Sequence, residues 1–281
     1  ADLSSIETVM IGWIANSEYM LDLFRKGLDP YKDYAMKLFG VAYEEVTKQM
    51  RTFCKPPVLG AGYRLGADAL IEYASGFGVT MTRAEAFKAI DTYRESYPEI
   101  PILWDIIDAA AFECVKTGKT KIVNGKFTFR LENPCMTIEL PSGRKLVYIR
   151  PRIERRKFRY KDRNGVSKEA VSEAITYENM NQQTRKWERT TTHAGKIVEN
   201  IDQAISRDIL ANGIILARQA FNDMGEGARV VGHIHDEIIA DTPDDPKYKD
   251  VLVKAMTTPP NWCLDAPLGS SVYQSKFYIK D

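Results

Sequence analysis

The chain has 281 residues, of which 44% are hydrophobic and 27% charged, with a formal net charge of +1. That length can bury a real core as one large domain or two smaller ones, and the composition excludes disordered, collagen-like and coiled-coil chains. Cysteines at 54, 114, 135 and 263 show no zinc-ligand spacing, so free thiols in a reducing compartment are expected, and no structural zinc. No apolar run is long enough to span a membrane and no signal-peptide pattern opens the chain, so a soluble cytoplasmic protein without a membrane partner is expected. Beginning Ala1-Asp2 rather than Met, the chain reads as a fragment or a processed product.

Ala1 to Leu3 reads as a strand end. From Ser4 to Phe24 the apolar positions Ile6, Met10, Trp13, Ile14, Met20, Leu21 and Phe24 approximate helical spacing and predict one helix. A turn at Gly27-Leu28-Asp29-Pro30 precedes a helix over Tyr31 to Phe39 that stops at Gly40, and another follows from about Tyr43. Helices are further predicted over Gly66 to Gly78, from the Thr82-x-x-Glu85 capping box to about Tyr97, and over Leu103 to Thr117, with Pro98 and Pro101 bounding the turn between the last two. From Lys119 to Tyr160 alternating segments separated by Asn-Gly, Asn-Pro and Pro-Ser-Gly turns predict strands. Basic residues then dominate Arg150 to Lys168, interleaved with Phe158 and Tyr160, a pattern that suits a phosphate backbone with occasional stacking or, equally, a solvated charged hairpin. Thr190 to Gly195 reads as a break, Lys196 to Phe221 as a long helix, Tyr248 to Thr258 as a helix ended by Pro259, and Ser271 to Lys280 as a last strand.

Between the long helix and Pro243 lies Val230-Val231-Gly232-His233-Ile234-His235-Asp236-Glu237-Ile238-Ile239-Ala240-Asp241. β-Branched residues on both sides predict two short strands with His235-Asp236 at the turn. Carboxylates raised on a rigid hairpin tip suit a divalent cation, since Mg2+ favours one or two carboxylates plus substrate phosphates; an ordinary charged turn has the same residues. A third acid, Asp2, stands at a strand end just before a helix. Arg51, Lys55, Leu59 and Tyr63 are spaced four apart, so on one helix they form a stripe of two cations, an apolar side chain and a ring. Cations for a triphosphate and carboxylates for two metals are what phosphoryl transfer needs.

Taken in order, Asp2-x-Ser4-x-Ile6-Glu7, then Arg51-x3-Lys55-x3-Leu59-Gly60-x2-Tyr63-x2-Gly66, then His235-Asp236-Glu237 resemble motifs A, B and C of family A DNA polymerases, the polymerase I class, and the phage-type branch in particular. Val198-Glu199-Asn200-Ile201-x-Gln203-Ala204-x2-Arg207-Asp208 is similar to a helix that this family places beside the template.

The resemblance implies an α+β fold: a palm with an antiparallel sheet (1–40 and 196–281), a helical fingers subdomain (41–118) and a β-rich basic insertion (119–195). The family's thumb and exonuclease domain, which precede motif A, are absent from it. It further implies that Asp2, Asp236 and the Leu3 carbonyl hold two Mg2+ ions, with Mn2+ as a substitute, and that Glu237 assists near the primer end. Glu7 would exclude a ribose 2′-hydroxyl, or simply complement a helix dipole as a first-turn acid. Arg51 and Lys55 would grip the deoxynucleoside triphosphate, Lys55 also serving as general acid for pyrophosphate. Leu59 would also contact the deoxynucleotide, Tyr63 would stand near the nascent base pair, and Gln203, Arg207 and His235 on the primer-template DNA, joined by Arg155 and Arg156 of the insertion. Val9 replaces an arginine usual in the family, and Pro56-Pro57 predict a fingers helix that begins near Pro56 and leaves Arg51 and Lys55 on its lead-in. Asp2, at a chain end, is expected to fray. The implied reaction is template-directed DNA synthesis in the cytoplasm of a host cell, with a separate chain supplying thumb or exonuclease functions. The rival readings are a DNA-binding fragment with little or no catalysis, a single-subunit RNA polymerase and, more remotely, a metal-dependent phosphohydrolase.

Overall fold

The computed structural model describes residues 1–225 and 227–278. Its first strand, β1 (Asp2–Leu3), is followed by helices α1 (Ile6–Ala15), α2 (Glu18–Arg25) and α3 (Pro30–Phe39). The single helix expected over Ser4 to Phe24 is therefore broken. Asn16 takes the left-handed conformation (φ 58), which asparagine tolerates better than most residues. Ser17 N–H then closes the turn on the Gly12 carbonyl at 2.9 Å. Gly12 also lets the two helices touch, since a Cβ there would lie 3.0 Å from that of Met20.

A 3-10 turn at Tyr43–Glu45 leads to α4 (Lys48–Gly60), whose start differs from the expected one. Thr47 caps it by accepting the Met50 N–H at 3.2 Å, so the helix begins two turns before Pro56 and contains both prolines. Interior prolines cost roughly 3 kcal/mol each in an isolated helix; here both are buried beside Cys54 and Val58, and packing offsets the lost hydrogen bonds. A second 3-10 turn, Ala61–Tyr63, precedes α5 (Ala67–Ser75), α6 (Arg83–Ser96), opened by the expected Thr82–Glu85 capping box, and α7 (Glu99–Thr117). Helix α7 starts earlier than expected because Pro101 falls in its first turn, where no N–H is needed.

Strands β2 (Lys121–Val123), β3 (Phe127–Glu132), β4 (Cys135–Glu139), β5 (Lys145–Lys161), β6 (Ser167–Met180) and β7 (Trp187–Thr192) form a six-stranded antiparallel meander in chain order. The Thr190 to Thr192 run, expected as a break, is strand: these β-branched residues pair with Tyr177, Thr176 and Ile175. Strands β5 and β6 extend beyond the sheet as a long ribbon. Its root is held on the next helix, α8 (Ala194–Met224), by Asn200 Nδ2 donating to the Tyr148 hydroxyl at 3.0 Å and Arg144 donating to the Ala204 carbonyl at 2.7 Å. Its tip is held on α6 by Arg163 donating to Asp91 at 2.8 Å and Arg83 donating to the Asp162 carbonyl at 2.7 Å.

After α8 come β8 (Arg229–Ile234), β9 (Glu237–Asp241), α9 (Lys247–Thr257) and β10 (Ser270–Ser271). The strand expected over Ser271 to Lys280 is limited to β10; Ile279 and Lys280 lie outside the described residues. A second sheet has the order β10-β1-β9-β8, so β1 is an inner strand. The Ala1 nitrogen donates to the Ile238 carbonyl at 2.9 Å, Ile238 N–H to the Ala1 carbonyl at 2.7 Å and Leu3 N–H to the Asp236 carbonyl at 3.1 Å. The expected fraying at Asp2 is thus overturned: backbone bonds on both sides and a buried Leu3, 1% exposed, tie it down. Helix α8 packs on β8 and β9, with Gly213 against Ile238, and α1, buried on almost every side, packs against α8. The α+β organisation is as expected. Among the described residues no helix is long and apolar enough to cross a membrane.

Candidate active site

Strands β8 and β9 are joined by His235 and Asp236 alone, the turn expected from the sequence. His235 has φ 50, a left-handed conformation costing a non-glycine residue on the order of 1 kcal/mol. A register shift between Val230 and Gly232 re-aims the strand below it. Asp2 is in register with Glu237 on β9, which puts its carboxyl beside that of Asp236. Burial, then repulsion and a hydrogen bond from Asp236, then repulsion from Glu237, push the Asp2 carboxyl up to about 6. An acid raised by its neighbour in this way marks a site whose repulsion a cation would relieve.

These carboxylates open on a cleft of about 550 Å3. Of the residues singled out in the sequence, Asp2, Leu3, Glu7, Leu59, Gln203, Arg207, His235 and Asp236 line it. Glu7 lies in the first turn of α1, and its carboxyl is raised by burial, then by Asp236 and Glu199, against hydrogen bonds from Tyr63 and Gln203. Hard oxygen donors and an arginine around one cleft suit a divalent cation and an anionic substrate.

The cationic stripe is divided. Helix α4 ends at Gly60, so Tyr63 lies in the following 3-10 turn rather than on the same helix. Only Leu59 reaches the cleft; Tyr63 borders a small neighbouring hollow with Glu7 and Leu59. Arg51 Nε donates to Asp29 at 2.5 Å and its guanidinium lies over the Tyr31 ring at 5.1 Å. Lys55, half-buried one turn on, does not line the cleft either. Glu237 faces a separate cavity of about 660 Å3, where it accepts hydrogen bonds from Tyr278 at 2.9 Å and Tyr273 at 3.5 Å. Arg155 and Arg156 lie on the ribbon. His233 contacts Arg207 at 3.5 Å, while burial lowers His193 at the start of α8.

Several site residues were not singled out in the sequence. Ser5, Thr8, Tyr31 and Ser206 complete the cleft wall. Asp29 holds Arg51 while also capping α3 through the Tyr31 and Lys32 N–H groups. Asp202, fully buried, accepts from the Tyr63 hydroxyl across 139 residues; burial holds its carboxyl well above the usual range, and its Oδ1 has no hydrogen-bond partner among the described residues. A signal for Asp202 was present, because it falls on the apolar face of α8 between Val198 and Ile205. Asp29 and the two tyrosines carry no comparable periodic signal.

The family model for DNA polymerase family A matches residues 1–135. The chain is 31% identical over 283 residues to the DNA polymerase of Bacillus phage SP02, covering 100% of this chain and 41% of that protein. It is 33% identical over 107 residues to DNA polymerase I of Geobacillus stearothermophilus, covering 38% of this chain and 12% of that relative. The chain thus spans less than half the length of these relatives. In fold it is similar to the POL domain of Pol1 from M. smegmatis, solved in complex with DNA primer-template and dNTP, with TM-score 0.58, 19% identity, and coverage of 95% of this chain and 37% of that one. Matched over residues 1–135 by the family model and over its whole length by a phage polymerase, the chain is similar to the family A DNA polymerases.

Proposed function

We propose that the chain is the catalytic portion of a DNA-directed DNA polymerase, adding deoxynucleotides to a primer 3′-hydroxyl on a DNA template in the cytoplasm of a host cell. The observation that carries this reading is the meeting of Asp2 and Asp236 at one edge of the cleft, although 234 residues separate them in the chain. Residues 1–40 and 196–281 serve as palm, 41–118 as fingers and 119–195 as an insertion. The Asp2 and Asp236 carboxylates and the Leu3 carbonyl are the oxygen donors for two Mg2+ ions, or Mn2+. Bound there, such ions would activate the attacking hydroxyl and stabilise the leaving pyrophosphate.

The chain's own residues do the rest. Glu7 occupies the space where a ribose 2′-hydroxyl would sit, and its ties to Tyr63 and Gln203 keep it there. Gln203, Arg207 and His235 contact the primer-template, and Leu59 and Tyr63 border the nascent base pair. Glu237 supports the primer end from the far cavity, held by Tyr278. Arg51 exchanges Asp29 for the triphosphate when α4 moves towards the cleft, bringing Lys55 to protonate the leaving pyrophosphate.

Primer extension with Mg2+ tests the reading: the chain incorporates deoxynucleotides, Asp236→Asn does not, and Glu7→Ala gains ribonucleotide incorporation. Equal activity of the Asp236 variant would refute it. The pairing of Arg51 with Asp29 favours a second reading, a DNA-holding portion that catalyses weakly without a separate chain supplying thumb contacts. DNA binding without incorporation, restored by adding the upstream region as a second chain, would select that reading.

A further inference from the structure

The basic ribbon alternates cations and rings in sequence, and the pleat sends alternate residues to opposite faces. Arg155, Lys157, Arg159 and Lys161 share one face of β5, while Arg156, Phe158 and Tyr160 share the other. Arg156 is half-buried and paired with Glu154 at 2.7 Å, so it is not part of the cationic row. On the first face β6 presents Glu169, paired with both Lys157 and Arg159, and Glu173 opposite Arg155. Arg155 and Lys161 make no ion pair among the described residues, so four cations face two carboxylates and the row stays positive. Its stride is about 6.7 Å per two residues, close to the separation of successive phosphates on an extended strand.

The ribbon's place in the fold decides which strand. Helix α8 is about 46 Å long; the metal-site hairpin packs on its second half, where Gly213 meets Ile238, and the ribbon root on its first half at Asn200 and Ala204. Gln203 and Arg207 line the cleft between them. Tyr63 and Arg64 lie against Gly195, at the junction of the ribbon sheet with α8. If the primer end sits at the hairpin, as the proposed function has it, the template continues past Tyr63 towards the ribbon, and there it is unpaired.

We propose that the Arg155, Lys157, Arg159, Lys161 face is a binding surface for the phosphate backbone of the single-stranded template ahead of the site. Along the stretch where Arg155 to Lys161 pair with Glu173 to Ser167 no ring lies on this face, so the contact there is electrostatic and independent of sequence. The inference rests on the polymerase reading, but its test needs no catalysis.

Fluorescence anisotropy in EDTA compares the chain with Arg155→Gln/Lys161→Gln, two exposed positions that contribute nothing to the core. The ligands are a blunt duplex and the same duplex with a 12-nucleotide 5′ template overhang. The expected result is several-fold weaker binding by the variant to the overhang ligand, unchanged binding to the blunt duplex, and a salt slope on the overhang ligand reduced by about 1.4, for two lost single-strand phosphate contacts. Equal binding of the overhang ligand by both proteins would overturn the proposal, as would an equal loss on the blunt duplex, which would put the face on paired DNA. Failure of the unaltered chain to bind either ligand would instead overturn the polymerase reading, and the inference with it.

Discussion

Neutralising Asp236 should make the metal-free protein more stable while removing its activity. The Asp2 carboxyl lies near 6 rather than 3.8, through burial, Asp236 and Glu237 in that order. For a fully buried group that interval corresponds to about 3 kcal/mol. Asp2 is exposed to solvent and Asp236 is only one of the causes, so screening leaves about 1 kcal/mol for Asp236→Asn to recover. The sign follows from linkage: an acid whose folded value is raised binds its proton more tightly in the native state, so stability falls as pH rises from about 4 to about 6, and the loss is complete above that. In thermal unfolding with EDTA at pH 7.5, Asp236→Asn should therefore melt about 2 °C higher than the unaltered chain, and at pH 4 the two should converge. Mg2+ should raise the melting temperature of the unaltered chain and leave the variant unmoved. A variant that is less stable at pH 7.5, or equally stabilised at both pH values, would refute the electrostatic reasoning.

The joint between Tyr63 and Asp202 gives a second prediction. Tyr63→Phe leaves the buried carboxyl without its hydrogen-bond donor and should cost about 2 kcal/mol in urea unfolding; because Asp202→Asn removes the buried acid, the double variant should lose less than the sum of the singles. Asp202→Asn should also abolish a fall in stability with rising pH that begins in the ordinary carboxylate range, since burial raises the native carboxyl. Leu3→Ala opens a hole at a fully buried strand position and should cost about 3 kcal/mol, with incorporation reduced further by the loosening of Asp2. Asp29→Ala removes the cap of α3 and should cost about 1 kcal/mol, yet it frees Arg51 and should tighten deoxynucleotide binding measured by calorimetry; unchanged affinity would remove Arg51 from the nucleotide site.

The helices with strong end signals, such as α6 behind its capping box and α3 before Gly40, and the two-residue hairpin at His235-Asp236 were legible because local chemistry dictates them. The family resemblance singled out Asp2, Leu3, Glu7, Leu59, Gln203, Arg207, His235 and Asp236, which all line the cleft. The errors came where a local rule met a tertiary contact. Two prolines predict a helix start, but burial of Pro56 and Pro57 and the Thr47 cap carry α4 through them. A chain end predicts fraying, but bonds from β9 hold β1 inside a sheet.

Determined by sequence alone were the residue types that can bind metal and phosphate, their order, and the periodicity of the elements that carry them. Only the tertiary structure decided which of these meet: it brought Asp2 to Asp236, turned Glu237 into another cavity and tied Arg51 to Asp29. The physical reason is that periodicity is set by bonds between near neighbours in the chain, whereas a site depends on strand register and burial between segments hundreds of residues apart, where a shift of one residue reverses the face a side chain presents.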